Sequence, residues 1–127
     1  MALWRFMDFC SAAGNNLIEE WYWNRLPDEA QAEFDVTLKT LSIAEDWRGL
    51  KEFKHLGRDG LCEIRFKVAN IQYRPAGFFG PGARCFSIYV GCYKKGKVYD
   101  PPNAFDLALK RKGMVARGEA FLNEHIV

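Results

Sequence analysis

Gly60-Leu61-Cys62-Glu63-Ile64-Arg65-Phe66-Lys67-Val68 decides the fold class. Cys62, Ile64, Phe66 and Val68 alternate with Glu63, Arg65 and Lys67, the period of a strand with one buried and one charged face. Downstream, Ile71 to Phe79 reads as a second strand, weakened at Pro75, which has no N–H for a ladder. Gly80-Pro81-Gly82 marks a turn, and then Phe86, Ile88, Val90 and Cys92 alternate with Ser87, Tyr89, Gly91 and Tyr93. Short turns between these segments make the strands antiparallel.

Upstream, residues 3–10 are mostly apolar and read as a first strand. Asn16 is placed to cap a helix from Leu17, with Glu19 and Glu20 in the first turn. Pro27, before Asp28 and Glu29, reads as the first residue of a second helix. Ala30, Phe34, Leu38 and Leu41 give that helix one apolar face. Trp21 and Trp23, two apart, cannot share a helix face, so one of them is exposed or at an interface. Beyond Pro101-Pro102, a helix is expected from about Ala104, bent or ended at Gly113, with a further helical stretch reaching Leu122. The expected order is β, α, α, β, β, β, α. This is an α+β fold in which two N-terminal helices and a C-terminal helix pack on one face of a twisted antiparallel sheet of about four strands. The 127 residues fit a single domain, 1–127.

No apolar run approaches the roughly 20 residues of a membrane-crossing helix. Residues 1–10 carry aromatics and an acid in place of the clean apolar stretch of a secretory signal, so such a signal is not expected. Cys10, Cys62, Cys85 and Cys92 show no Cys-x-x-Cys spacing, so zinc and thioredoxin-type chemistry have no motif. A cytoplasmic chain with reduced, buried cysteines is expected. The net charge of +2 conceals an asymmetry: residues 1–47 hold three basic and nine acidic residues, and residues 48–118 hold fifteen basic and five acidic. So positive a stretch fits a polyanion such as RNA, although mutual pairing of the two segments would use the same charges.

Arg65 and Lys67 share a strand face, the next strand carries Arg74, and the last runs into Tyr93-Lys94-Lys95-Gly96-Lys97-Val98-Tyr99. Strands about 4.8 Å apart bring such groups to one surface. Arginine holds a phosphate by paired hydrogen bonds, and tyrosine stacks on bases or moves a proton. Metal-free RNA cleavage needs this kind of positive clamp, because the 2′-hydroxyl is the nucleophile. The simpler readings are that Arg65 is a surface residue or an ion-pair partner of Glu63 or of an acidic helix, that Tyr89 and Tyr93 pack, and that Tyr99 covers the C-terminal helix. By the same logic, Lys110-Arg111-Lys112 is a solvated helix face and His125 is a frayed terminal residue.

Leu50-Lys51-Glu52-Phe53-Lys54-His55-Leu56, Gly60 to Arg65, Tyr73-Arg74, the apolar strand at 86–92 and Tyr93-Lys94-Lys95 ahead of Ala104 to Arg111 together resemble the RelE/ParE toxin superfamily. Within it the HigB-like, phage-derived branch is the nearest in pattern, and the resemblance covers about residues 3–112. It implies the toxin of a toxin–antitoxin pair: a metal-independent, ribosome-dependent messenger-RNA endoribonuclease without cofactor. It also implies a cognate antitoxin, of helix-turn-helix type, as partner. Carried onto this chain, Arg74 would contact the scissile phosphate. Lys94 and Lys95 would form the basic pair, with Lys95 in the transition-state role, and Tyr99 and His55 would complete the catalytic set. Lys51, Lys54, Arg65, Lys67, Tyr93 and Lys97 would bind RNA. Two alternatives stay open: the ParE branch, which acts on DNA gyrase, and a non-enzymatic binding protein of phage or prophage origin.

Overall fold

The computed structural model describes residues 2–125. β1 (Arg5–Cys10) leads through a tight turn into α1 (Leu17–Arg25). Asn16 caps that helix as its sequence predicts: its Oδ1 accepts from the N–H groups of Ile18 at 3.1 Å and Glu19 at 2.8 Å. α2 (Asp28–Ser42) begins one residue after Pro27, which occupies the cap position and not the first turn. Ala30, Phe34, Leu38 and Leu41 are all fully buried. Each of the larger three contributes about 1.5–3 kcal/mol by leaving water. Trp21 is buried and Trp23 is 64% exposed.

After α2 and its loop come β2 (Phe53–His55), β3 (Cys62–Ile64), β4 (Phe66–Val68), β5 (Ile71–Tyr73), β6 (Ala76–Phe79), β7 (Cys85–Val90) and β8 (Tyr93–Lys95). The chain closes with β9 (Val98–Asp100), α3 (Ala104–Ala116) and β10 (Phe121–His125). The strands form a six-stranded sheet in the order β10-β1-β7-β6-β3-β2 and a four-stranded sheet in the order β4-β5-β8-β9. All pairings are antiparallel except β1 with β7.

Ten strands in two sheets replace the expected four: three of the expected strands each break once, giving β3/β4, β5/β6 and β7/β8, and β2, β9 and β10 are additional. The breaks fall at Arg65, at Arg74-Pro75 and at Gly91-Cys92, all at one level of the molecule. The backbone stays stitched across it: Ile64 N–H donates to Pro75 O at 2.9 Å, and Arg74 N–H donates to Cys92 O at 2.8 Å. Gly91 is required there, since a Cβ would lie 2.1 Å from the Trp21 ring.

Both faces of the larger sheet are covered, not one. On one face Trp47, which follows α2, packs against Phe6, Phe53, Phe79 and Phe86. On the other, α3 lays Lys112 over Phe78 and Arg111 over Phe9. Arg111 also donates to Tyr89 O at 2.7 Å, so Lys110-Arg111-Lys112 is not simply a solvated face. The expected helical stretch toward Leu122 is a strand. Gly118, at φ 75°, turns the chain back, and β10 pairs along β1. His125 is accordingly not frayed: its Nδ1 lies 3.0 and 2.9 Å from the two carboxylate oxygens of buried Asp8. The four cysteines are free and buried. Among the described residues no helix is long and apolar enough to cross a membrane.

Candidate functional site

Register fixes what the smaller sheet presents. Phe66, Tyr73, Tyr93 and Asp100 lie opposite one another across its four strands, and Lys67, Gln72, Lys94 and Tyr99 form the next row. Adjacent rows point to opposite faces. The first row packs inward: Phe66 stacks on Tyr73 at 5.0 Å and on Phe34 of α2 at 5.4 Å. The second row therefore faces away from α1 and α2.

The break in the strands gathers more groups onto this outer face, around Glu63. The Glu63 side chain is 0% exposed. Its Oε1 accepts from Arg65 at 2.9 Å and from Arg74 at 2.8 Å, and its Oε2 accepts from the Tyr99 hydroxyl at 3.3 Å. Arg74 also donates to Gln72 Oε1. A buried carboxylate is tolerated only when paired and hydrogen-bonded, and three donors meet that condition. Two guanidinium groups against one carboxylate leave one net positive charge. Lys67 and Lys94 add to it, and the Lys94 ammonium lies 5.5 Å from the Tyr99 ring centroid. Burial first, and then the negative Glu63, push the Tyr99 phenol above its ordinary pKa of 10.0 against the opposing effect of Arg74. Tyr99 is thus a protonated donor at neutral pH. Burial likewise raises the Cys92 thiol, which donates to Arg74 O and is no nucleophile.

Of the residues singled out from the sequence, Arg65, Lys67, Arg74, Lys94 and Tyr99 come together on this face. Lys54 joins them from the outermost strand, where its partner in register is Glu63. Lys51 lies in the turn leading to β2, and Lys97 in the turn between β8 and β9. Lys95 follows Lys94 and points to the opposite side, as does Tyr93, whose hydroxyl donates to Asp100 at 2.6 Å. His55 is also separated from the cluster. It alternates with Lys54, accepts on Nδ1 from Gly57 N–H at 3.0 Å, and borders an aromatic cavity with Trp4, Trp47, Phe53 and Phe79.

The alternation placed Glu63 on the charged outer face, with Arg65 as a possible partner, whereas its side chain is fully buried. Its burial is set by the break in the strands, which the alternation pattern conceals. Gln72 gave no signal, and Arg58 of the β2–β3 loop became relevant only through its ion pair with Asp106 at 2.7 Å. Among the described residues no three His, Cys, Asp or Glu side chains meet as a metal-holding group.

The sequence model of the phage derived protein Gp49-like family (DUF891) matches residues 21–113, from within α1 to within α3, and so includes every residue of the cluster. No curated protein and no solved structure matches the chain. With most of its length matched, the chain belongs to the phage-derived Gp49-like family, a family of RelE-toxin-like proteins.

Proposed function

We propose that this protein is the toxin of a toxin–antitoxin pair and cleaves messenger RNA on the ribosome without a metal. The observation that carries the reading is the convergence of Arg65, Arg74 and Tyr99 on one buried glutamate, beside Lys67 and Lys94 on an open face. Glu63 holds the two guanidinium planes and the phenol in place before substrate arrives, so little reorganisation is left for the reaction. In the proposed step the RNA 2′-hydroxyl oxygen bonds to the adjacent phosphorus and its proton leaves to water. The bond to the 5′-oxygen breaks, and Tyr99 gives that oxygen its proton and is recharged from solvent. The products are a 2′,3′-cyclic phosphate and a 5′-hydroxyl. Arg65, Arg74 and Lys94 stabilise the charge gathered on the phosphoryl oxygens. An antitoxin carrying acidic groups would silence the protein by covering this face.

The test uses variants that spare the buried pair. Arg74→Ala is a poor choice because it strips a buried carboxylate of one partner, at about 3–5 kcal/mol. Wild type, Lys94→Ala and Tyr99→Phe are expressed from a tightly controlled promoter, with growth followed alongside primer extension on an abundant message. Growth arrest with new message ends, both reduced in each variant, supports the reading. Arrest with intact message points to the gyrase-directed alternative. Unimpaired growth with intact message points to a binding protein and overturns the enzymatic reading.

A further inference from the structure

Beside Tyr99 the outer face opens into a cavity of about 130 Å³ that the cleavage step leaves unused. Tyr99, Phe105, Pro102 and Ala104 line it, together with the polar Asn103, Arg58 and Asp106. The Tyr99 and Phe105 rings meet edge to face with centroids 4.9 Å apart. Flat apolar walls next to a cationic row suit one planar base stacked beside a bound phosphate, and the volume admits a base and not a second nucleotide.

Arg58 and Asp106 select which base. Arg58 Nη2 lies 2.7 Å from Asp106 Oδ1, which sets a two-pronged donor beside a two-oxygen acceptor. Guanine is the base with adjacent acceptors, O6 and N7, on one edge and adjacent donors, N1–H and N2–H₂, on the next. Adenine offers Asp106 no such donor pair, and cytosine and uracil offer Arg58 no O6/N7 fork. The side chains of Arg58 and Asp106 are 51% and 73% exposed, so their mutual pair is screened by water and readily exchanged for base edges. We infer that this cavity receives a guanine of the RNA substrate, adjacent to the cleaved phosphate. The inference rests on the RNA-cleavage reading and supplies its sequence preference.

Binding of short RNAs separates the two. Uridine tetramers carrying a single guanine, adenine or cytosine, and an all-uridine tetramer, are 2′-O-methylated against cleavage and titrated by fluorescence anisotropy. The guanine tetramer is expected to bind wild type about tenfold tighter than the other three. Asp106→Asn and Arg58→Gln, both at exposed positions, should each bring it to the level of the others. Lys94→Ala should weaken all four alike. Equal binding of the four tetramers to wild type, still weakened by Lys94→Ala, overturns the guanine site and leaves the RNA reading standing. No binding of any tetramer also overturns the site, and the expression experiment then decides the cleavage reading independently.

Discussion

The two faces of the β4-β5-β8-β9 sheet are built from alternate residues of the same strands, and they do opposite work. Phe66, Tyr73 and Tyr93 turn toward α1 and α2, where Trp21 and Phe34 extend the aromatic stack. Lys67, Gln72, Lys94 and Tyr99 turn away and meet no helix until Phe105 at the start of α3. The inner face holds the fold by apolar burial. The outer face contributes little to folding except at Glu63, where charge is buried and fully paired. On the proposed reading, stability and chemistry fall to residues one position apart, and substitutions should separate them.

Breaking the inner face has the largest expected effect on stability. Phe66→Ala should lower it by about 3–5 kcal/mol, read from chemical denaturation, by removing a ring stacked on both sides. Glu63→Ala attacks the single point where the outer face matters to folding. It leaves Arg74, 13% exposed, without its carboxylate, and should cost about 3 kcal/mol or more together with loss of message cleavage. Tyr99→Phe sharpens the comparison: stability should fall by about 0.5–1.5 kcal/mol for one hydrogen bond, while cleavage falls by roughly 10²–10⁴ through loss of the proton donor. Lys94→Ala should leave stability within about 0.5 kcal/mol, yet reduce cleavage by about tenfold or more through loss of a cationic contact.

The inner and outer tyrosines also share a pH signature. All five, Tyr22, Tyr73, Tyr89, Tyr93 and Tyr99, have phenols raised above 10.0 in the folded chain, with Tyr22 pushed to about 12 by burial and its bond to Asp35. Unfolding returns each to its ordinary value. Above pH 10 the unfolded chain therefore releases protons that the folded chain keeps, and stability declines as pH rises from there. Denaturant midpoints measured on either side of pH 10 should show that decline, and Tyr99→Phe should make it shallower.

Much of this architecture is legible in the sequence. Asn16 and the Ala30/Phe34/Leu38/Leu41 spacing each express a local rule, and each keeps its place in the structure, whereas the Cys62–Val68 alternation is extended as expected but divided between two sheets. The break at Arg65, Arg74-Pro75 and Gly91-Cys92 is not local. Alternation continues through it, and the close approach of the Trp21 ring to Gly91 at that level comes from a distant part of the chain. Pro75 was the one visible warning, since its missing N–H weakens the ladder beside the break. β10 was hidden for a similar reason: its pairing depends on β1, more than a hundred residues earlier. Of the site, the basic residues were legible because charge is legible. Which of them share a face was not: Lys94 and Lys95 are adjacent in sequence and fall on opposite sides of the sheet, and His55 parts from Lys54 in the same way.

The most direct measurement adds purified protein to a reconstituted translation reaction containing a chelator that spares ribosomal magnesium, and maps the ends of the message. Wild type should produce new ends bearing a 2′,3′-cyclic phosphate and a 5′-hydroxyl, and a Lys67→Ala/Lys94→Ala double variant of unchanged stability should produce few. Intact message with folded wild type, or equal cleavage by the double variant, would contradict the assignment of RNA cleavage to this face.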